Sequence, residues 1–197
     1  MWNEEQIEEY LKNNLSESRY NHSLSVRDTA VMLARKHGED ELKARIAGLV
    51  HDCAKNKNNK EIVEMVEENG YNIDMVCKNS PDLLHGLAGA IIAKNLMGIQ
   101  DEDVLNSIAY HTTGRKEMSL LEKIIYIADY IEPLRKFPGV DNLRETVQKD
   151  LEEGILLSFN NTINYVISLG QLLHMDTIEA RNYLIIKKCR WRYGKTE

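Results

Sequence analysis

Six histidines occur among 197 residues, an ordinary number, so their placement carries the information. His22 lies on a line with Val26, Thr29 and Leu33, at helical spacings that aim a polar ring along an inward-facing stripe. His51 and Asp52 are adjacent, and Ala44, Ala47 and Gly48 share the side of His51, where small residues let another helix or a ligand come close. His85 shares its line with Ala88, Gly89 and Ile92, and His111 with Val104 and Ile108. Asp129 sits with Ile125 and Glu122 inside the otherwise apolar run KIIYIADYI. Each of these groups is costly to bury without a partner. Any one of them is most simply a buried group satisfied by a local hydrogen bond. Five helices all turning His or Asp inward are harder to explain one at a time. Together they form a nitrogen and oxygen donor set without sulfur, which suits iron, manganese, cobalt or zinc. Asp52, with two oxygens, could join two such ions roughly 3.5–4 Å apart, the spacing of two-metal hydrolases.

The elements that must carry these groups read as helices throughout, and the fold class is all-α. Apolar positions recur at three and four rather than at two. Helices are expected over Glu4 to Asn13, Glu17 to His37 (capped by Ser16, stopped by Gly38), Asp40 to Ala54 and Lys60 to Asn69. SPDLLHGLAGAIIAKNLMG reads as one helix, with Ser80 as cap, Pro81 in the first turn and Gly98 as terminator. Further helices are expected over Glu102 to His111 and Ser119 to Ile131, the latter ended by Pro133. After the loop PLRKFPGV come a long helix from Asn142 to Leu169 and a last one from Thr177 to Trp191, with Asp176 and Glu179 as a capping-box-like start.

Composition narrows the function classes. The net charge of −6 argues against a general nucleic-acid binder, which needs a broad basic surface. With 11 Gly and 3 Pro the chain has too few turn formers for many short strands. Three cysteines without a CxxC make a disulfide framework unexpected and fit a reducing cytoplasm. The acidic start lacks the features of a signal peptide. Gly154 to Met175 carries no charged side chain before Met175, but its Asn, Ser, Thr and Gln content reads as a soluble helix rather than a membrane span. Trp2, Trp191 and the tyrosines read as packing residues.

The ordered set His22, His51-Asp52, His85, His111 and Asp129, in the contexts RYNHSLSV, LVHDCAK, LLHGLAGA, AYHTTG and IYIADYIEP, resembles the HD-domain metal-dependent phosphohydrolases. The stretches HDCAK, LLHGLAGA, HTTG, KIIYIADYIEP and RKFPGVDNLR look more narrowly like the bacterial YqeK-like class, whose members cleave diadenosine tetraphosphate symmetrically into two ADP. The likeness runs from about Arg19 to Arg181. It implies one domain over 1–197, with an HD core at about 17–133 and C-terminal helices at about 141–191 completing the substrate pocket. It implies that His22, His51, Asp52 and Asp129 hold the principal divalent ion, usually iron in this class. His85 and His111 then look like second-metal or phosphate-facing positions, with Asp52 bridging. Asp52, Lys55, His85 and His111 take the catalytic roles. Substrate contacts carry over to His22, Asp52, His85, His111, Thr112 and Asp129, to Lys55 and Arg135 on phosphate, and to two stretches. These are Lys55, Asn56, Lys57 and Asn58, and then Leu172, Leu173, His174 and Thr177. Related chains read LHP-x-T in the second stretch, whereas Met175 stands here at the proline position.

The expected partner is a small nucleotide, with a homodimer allowed and neither nucleic acid nor membrane expected. An acidic protein binding a polyanion needs a locally positive pocket, which divalent ions, Lys55, Lys57, Arg115 and Arg135 would supply. Hydroxide held by the ions would then attack a phosphorus in line, with ADP leaving. The rival readings are an HD phosphohydrolase acting on another nucleotide, a di-iron redox bundle and a silent nucleotide-binding module. The bundle wants Glu-x-x-His pairs, and no histidine here has Glu three positions earlier.

Overall fold

The computed structural model describes residues 1–193, with side chains through residue 189. Among them are eleven α-helices and no strand. The helices are α1 (Glu4–Asn14), α2 (Glu17–His37), α3 (Glu41–Val50), α4 (Asn59–Glu68), α5 (Met75–Asn79), α6 (His85–Asn95), α7 (Glu102–Ala109), α8 (Leu120–Ile131), α9 (Val140–Lys149), α10 (Leu151–Ser168) and α11 (Met175–Tyr193). Boundaries follow local chemistry. Asn3 and Gln6 close a capping box on α1, and Ser119 and Glu122 close another on α8. Ser16 accepts the Arg19 N–H at the start of α2, which ends where Gly38 takes φ 79°.

Helix α8 is the central element: Leu121, Ile124, Ile125, Tyr126, Ile127 and Ala128 are fully buried. Helices α2, α3, α7, α9 and α10 pack around it. Each large aliphatic side chain so buried stabilises the fold by about 1.5–3 kcal/mol. Two glycines set the approach of the helices that carry the histidines. A Cβ on Gly48 would lie 2.9 Å from Cα of Arg27, so α3 rests directly on the backbone of α2. A Cβ on Gly86 would lie 2.7 Å from the Ala109 carbonyl oxygen, which brings the start of α6 against the end of α7.

Several expected boundaries shift. Helix α3 ends at Val50, and residues 51–57 continue as tight turns with Cys53, Lys55 and Lys57 N–H groups bonded three residues back. Ser80 makes no capping bond. Pro81–Leu84 form a 3₁₀ turn, and α6 begins at His85 itself. The expected long helix breaks at Asp150, which takes an extended backbone (φ −152°, ψ 114°) and accepts the Glu153 N–H at 3.0 Å as cap of α10. Gly154 then lets α10 lie on α9, since a Cβ there would meet Val147 Cγ2 at 2.3 Å. Helix α11 begins before Asp176: Asp176 N–H is taken by His174 Nδ1 at 3.2 Å. The short α5 had no periodicity to announce it. The segment low in charge closes α10 at Ser168 and turns at Gly170, φ 63°. Among the described residues no helix is long and apolar enough to cross a membrane. Trp2 packs on Tyr10, and Tyr126 on Phe159, as expected of packing aromatics. The Trp191 side chain lies outside the described residues.

Candidate metal centre

His22 on α2, His51 and Asp52 after α3, His85 at the start of α6, His111 after α7 and Asp129 on α8 converge on one point. His22 Nε2 lies 3.0 Å from Asp129 Oδ1 and 3.8 Å from Asp52 Oδ2. His51 Nε2 lies 3.7 Å from Asp52 Oδ2 and 3.9 Å from Asp129 Oδ1. On the other side, His85 Nε2 is 3.2 Å and His111 Nε2 3.6 Å from Asp52 Oδ1. All four rings are buried.

The aim of each ring is fixed from behind. His51 Nδ1 donates to the Gly48 carbonyl at 2.7 Å, His111 Nδ1 to that of Ile108 at 2.7 Å, and His85 Nδ1 to that of Asp82. A carbonyl only accepts, so each Nδ1 carries the proton and each Nε2 offers a lone pair to the centre. His22 Nδ1 donates instead to the buried Glu132 carboxylate at 3.0 Å. Nε2 of His22 and of His51 is buried without a hydrogen-bond partner among the described residues.

Four lone pairs and two carboxylates facing one another make a centre that wants a cation. The groups His22–His51–Asp129 and His51–Asp52–His111 each bring their donor atoms within 4.8 Å of one another. Imidazoles with Nδ1 held by carbonyl or carboxylate are the usual form of metal-ligating histidine. The residues fit a divalent ion of the kind that takes nitrogen and oxygen ligands.

The electrostatics of the cluster point the same way. Burial pushes the His51 imidazole down to about 4, so it is neutral at pH 7. Burial lowers His85 too, beyond what its bond to Asp52 restores. Burial alone would raise Asp52, but His51, His111 and His85 outweigh it and hold the carboxylate well below its usual range. Burial likewise opposes ionisation of Asp129, and is outweighed by the adjacent His22 ring and the Arg135 charge. His22 is the exception. Burial lowers it, but the Asp129 carboxylate 3.0 Å from Nε2 outweighs burial and raises it.

Basic side chains flank the cluster at both ends. Lys55 Nζ lies 3.3 and 3.4 Å from the two nitrogens of His85. Arg135 bonds the Asp129 carbonyl at 2.7 Å through Nε and its carboxylate through Nη2. Thr112 Oγ1 sits 3.2 Å from His85 Nε2 and 3.1 Å from His111 Nε2.

Other expected contacts are otherwise engaged. Asn58 caps α4 by accepting the Glu61 N–H. Thr177 Oγ1 donates to the Thr113 carbonyl at 3.0 Å, and His174 Nε2 pairs with Asp74 at 2.9 Å. Asn56 and Leu172 are exposed, Lys57 and Leu173 half-buried. Arg115, expected to add positive charge for the substrate, instead forms a two-point pair with buried Glu122, at 2.6 and 3.1 Å.

Two participants escaped the sequence reading. Arg19 Nη1 reaches Asp52 Oδ2 at 2.8 Å, and its position one turn before His22 was the available signal. Glu132, three residues after Asp129, holds His22, and its near-complete burial could not be read from a sequence position beside Pro133.

Residues 19–134 match the HD domain, and the chain belongs to that family. It is 41% identical over 178 residues to a protein of Halalkalibacterium halodurans named symmetrical bis(5'-nucleosyl)-tetraphosphatase, covering 90% of this chain and 95% of that one. A protein of the same name from Bacillus subtilis is 39% identical over 183 residues, covering 93% and 98%. The crystal structure of a Clostridium acetobutylicum protein described as a predicted HD superfamily hydrolase involved in NAD metabolism superposes with a TM-score of 0.93 at 58% identity, covering 95% of this chain and 99% of that one.

Proposed function

We propose that the chain is a metal-dependent hydrolase that cuts diadenosine tetraphosphate at its central anhydride into two ADP. One observation carries the reading: four imidazole Nε2 atoms and two carboxylates face a common point. The two relatives of that name, alike over nine-tenths of this chain, supply the substrate.

His22, His51, Asp52 and Asp129 would hold the first ion, which we take to be iron, with manganese, cobalt and zinc suited to the same donors. Asp52 turns Oδ2 toward His22 and His51 and Oδ1 toward His85 and His111, which supports a second position beside the latter pair. Bound divalent ions supply an acidified water and polarise the phosphoryl oxygens. The chain itself does the rest. Lys55 and Arg135, at opposite ends of the cluster, hold the polyphosphate across it. Burial lowers the Lys55 ammonium from its ordinary value, beyond what Asp52 restores. The Nε2 atoms of His85 and His111, 3.0 Å apart, bring two acceptors to one point beside Asp52, where they can orient the substrate's phosphoryl group or a second ion. The helices after residue 139 complete the pocket, making one domain with the HD core. Cys53, Cys77 and Cys189 are all unpaired, in keeping with work in the reducing cytoplasm.

Chromatography of the products tests the reading: two ADP are expected, and AMP with ATP, or intact substrate beside turnover of another nucleotide, overturns it. Asp52→Ala should lose both bound metal, by elemental analysis, and turnover, by on the order of 10³-fold.

A further inference from the structure

A groove of about 830 Å³ opens beside the metal centre, between α8, the 133–139 loop, α9 and α10. That is the size of a small-molecule site. Asp129 and Thr112 lie in its wall, so it is continuous with the cluster. Its inner end carries charge, through Arg135 bonded to Asp129. Its outer wall is neutral: Tyr130, Phe137 and Tyr165 with the carboxamides of Asn142, Asn161 and Asn164. Tyr130 and Phe137 meet edge to face, with ring centroids 6.5 Å apart, and Tyr165 is 65% exposed. An aromatic of that size left in solvent on a helix does no packing work.

We propose that this groove seats the second nucleoside of the dinucleoside tetraphosphate, with its base against the aromatic wall. The proposal rests on the hydrolase reading above and extends it. A chain of four phosphates cut at its centre leaves in two directions, so each half needs its own seat. Lys55 stands at the His85 end of the cluster and Arg135 at the Asp129 end. None of residues 55–58 or 172–177, the nucleotide-binding stretches expected from the sequence, lines the groove. The groove is thus built from residues other than those stretches. The order of its chemistry matches half a substrate: a guanidinium where phosphate arrives, then rings that stack a base, then carboxamides that pair with a base edge.

The test compares diadenosine tetraphosphate with adenosine 5'-tetraphosphate, which has the same phosphate chain but one nucleoside. The unaltered chain should prefer the dinucleotide by about tenfold or more in kcat/KM, the scale of one stacked base. In Tyr165→Ala/Asn161→Ala that preference should fall to within about twofold of unity. Tyr165→Phe should keep it, since the ring remains. Both substituted positions are exposed. Asn142→Ala, on a different helix, reads the same wall if α10 does not accept the changes. A preference that survives the double substitution overturns the second seat, as does a lack of preference in the unaltered chain, while the hydrolase reading stands. Failure of the unaltered chain to cleave the dinucleotide overturns both.

Discussion

Glu132 holds His22 from behind: its Oε1 accepts from Nδ1 of the imidazole at 3.0 Å, in a position almost wholly closed to solvent. The carboxylate fixes the tautomer of the ring and makes Nε2 a better donor to a cation. The other three rings lean on neutral carbonyls, so His22 is the imidazole with an ionic backing group.

Glu132→Gln should therefore weaken metal binding by about 10–100-fold, the usual cost of losing a group behind a ligand. Calorimetric titration with Co²⁺ or Mn²⁺ reads this directly. The carboxamide oxygen can still accept from Leu134 N–H, as Glu132 Oε2 does now at 2.6 Å, so the turn into the 133–139 loop should persist.

Removing metal should cost stability as well as activity. Buried lone pairs facing carboxylates gain most from a cation, and a ligand at a hundred times its Kd stabilises the folded state by about 2.7 kcal/mol. For a chain of this length that corresponds to a Tm lower by roughly 5–10 °C after chelation. Thermal melts with and without chelator, followed by return of Mn²⁺, check the size and the reversibility of the shift.

Gly86→Ala places a methyl group 2.7 Å from a backbone oxygen of the α7 terminus, which cannot rotate away. Helices α6 and α7 must separate, and with them His85 and His111. A loss of about 1–3 kcal/mol in denaturant unfolding is expected. Activity should fall further than stability explains at temperatures where the variant remains folded.

Arg115→Ala should leave substrate KM unchanged and destabilise the fold. The guanidinium answers Glu122, which is 1% exposed, and its loss leaves that buried carboxylate with only the Ser119 N–H and no counter-charge. Because Arg115 itself is about one-third exposed, we expect about 2 kcal/mol rather than the full cost of breaking a buried pair. Unfolding curves and KM measured on the same preparation separate the two roles.

The helices were legible where a cap and an apolar stripe truly coincided, as from Ser16 to Gly38, whereas the same signs at Ser80 misled, since Ser80 makes no capping bond and α6 begins at His85. Helices were misread too where a polar side chain broke a continuous stripe. Asp150 with Glu153 is a helix-start signature set inside what reads as a single amphipathic run, and the close fit of Gly154 on Val147 depends on that break. The four histidines and two aspartates were visible because charged and polar groups on apolar lines need a reason. The groups behind them were not, since Glu132 and Arg19 sit beside a proline and near a helix start, where such residues are commonplace. Nor could spacing reveal that Arg115 is committed to Glu122, or that His174 pairs with Asp74. Those pairings depend on which loops meet, a property of the assembled bundle.

His51, His85 and His111 each tether the ring to the carbonyl three residues earlier in their own turn. The orientation of three of the four imidazoles is thus encoded within tetrapeptides, independent of distant neighbours. Assembly has only to deliver ready-aimed turns to the right distance. A designer wishing to transplant this constellation onto another helical scaffold could graft those short turns whole and would need to engineer long-range support for His22 alone.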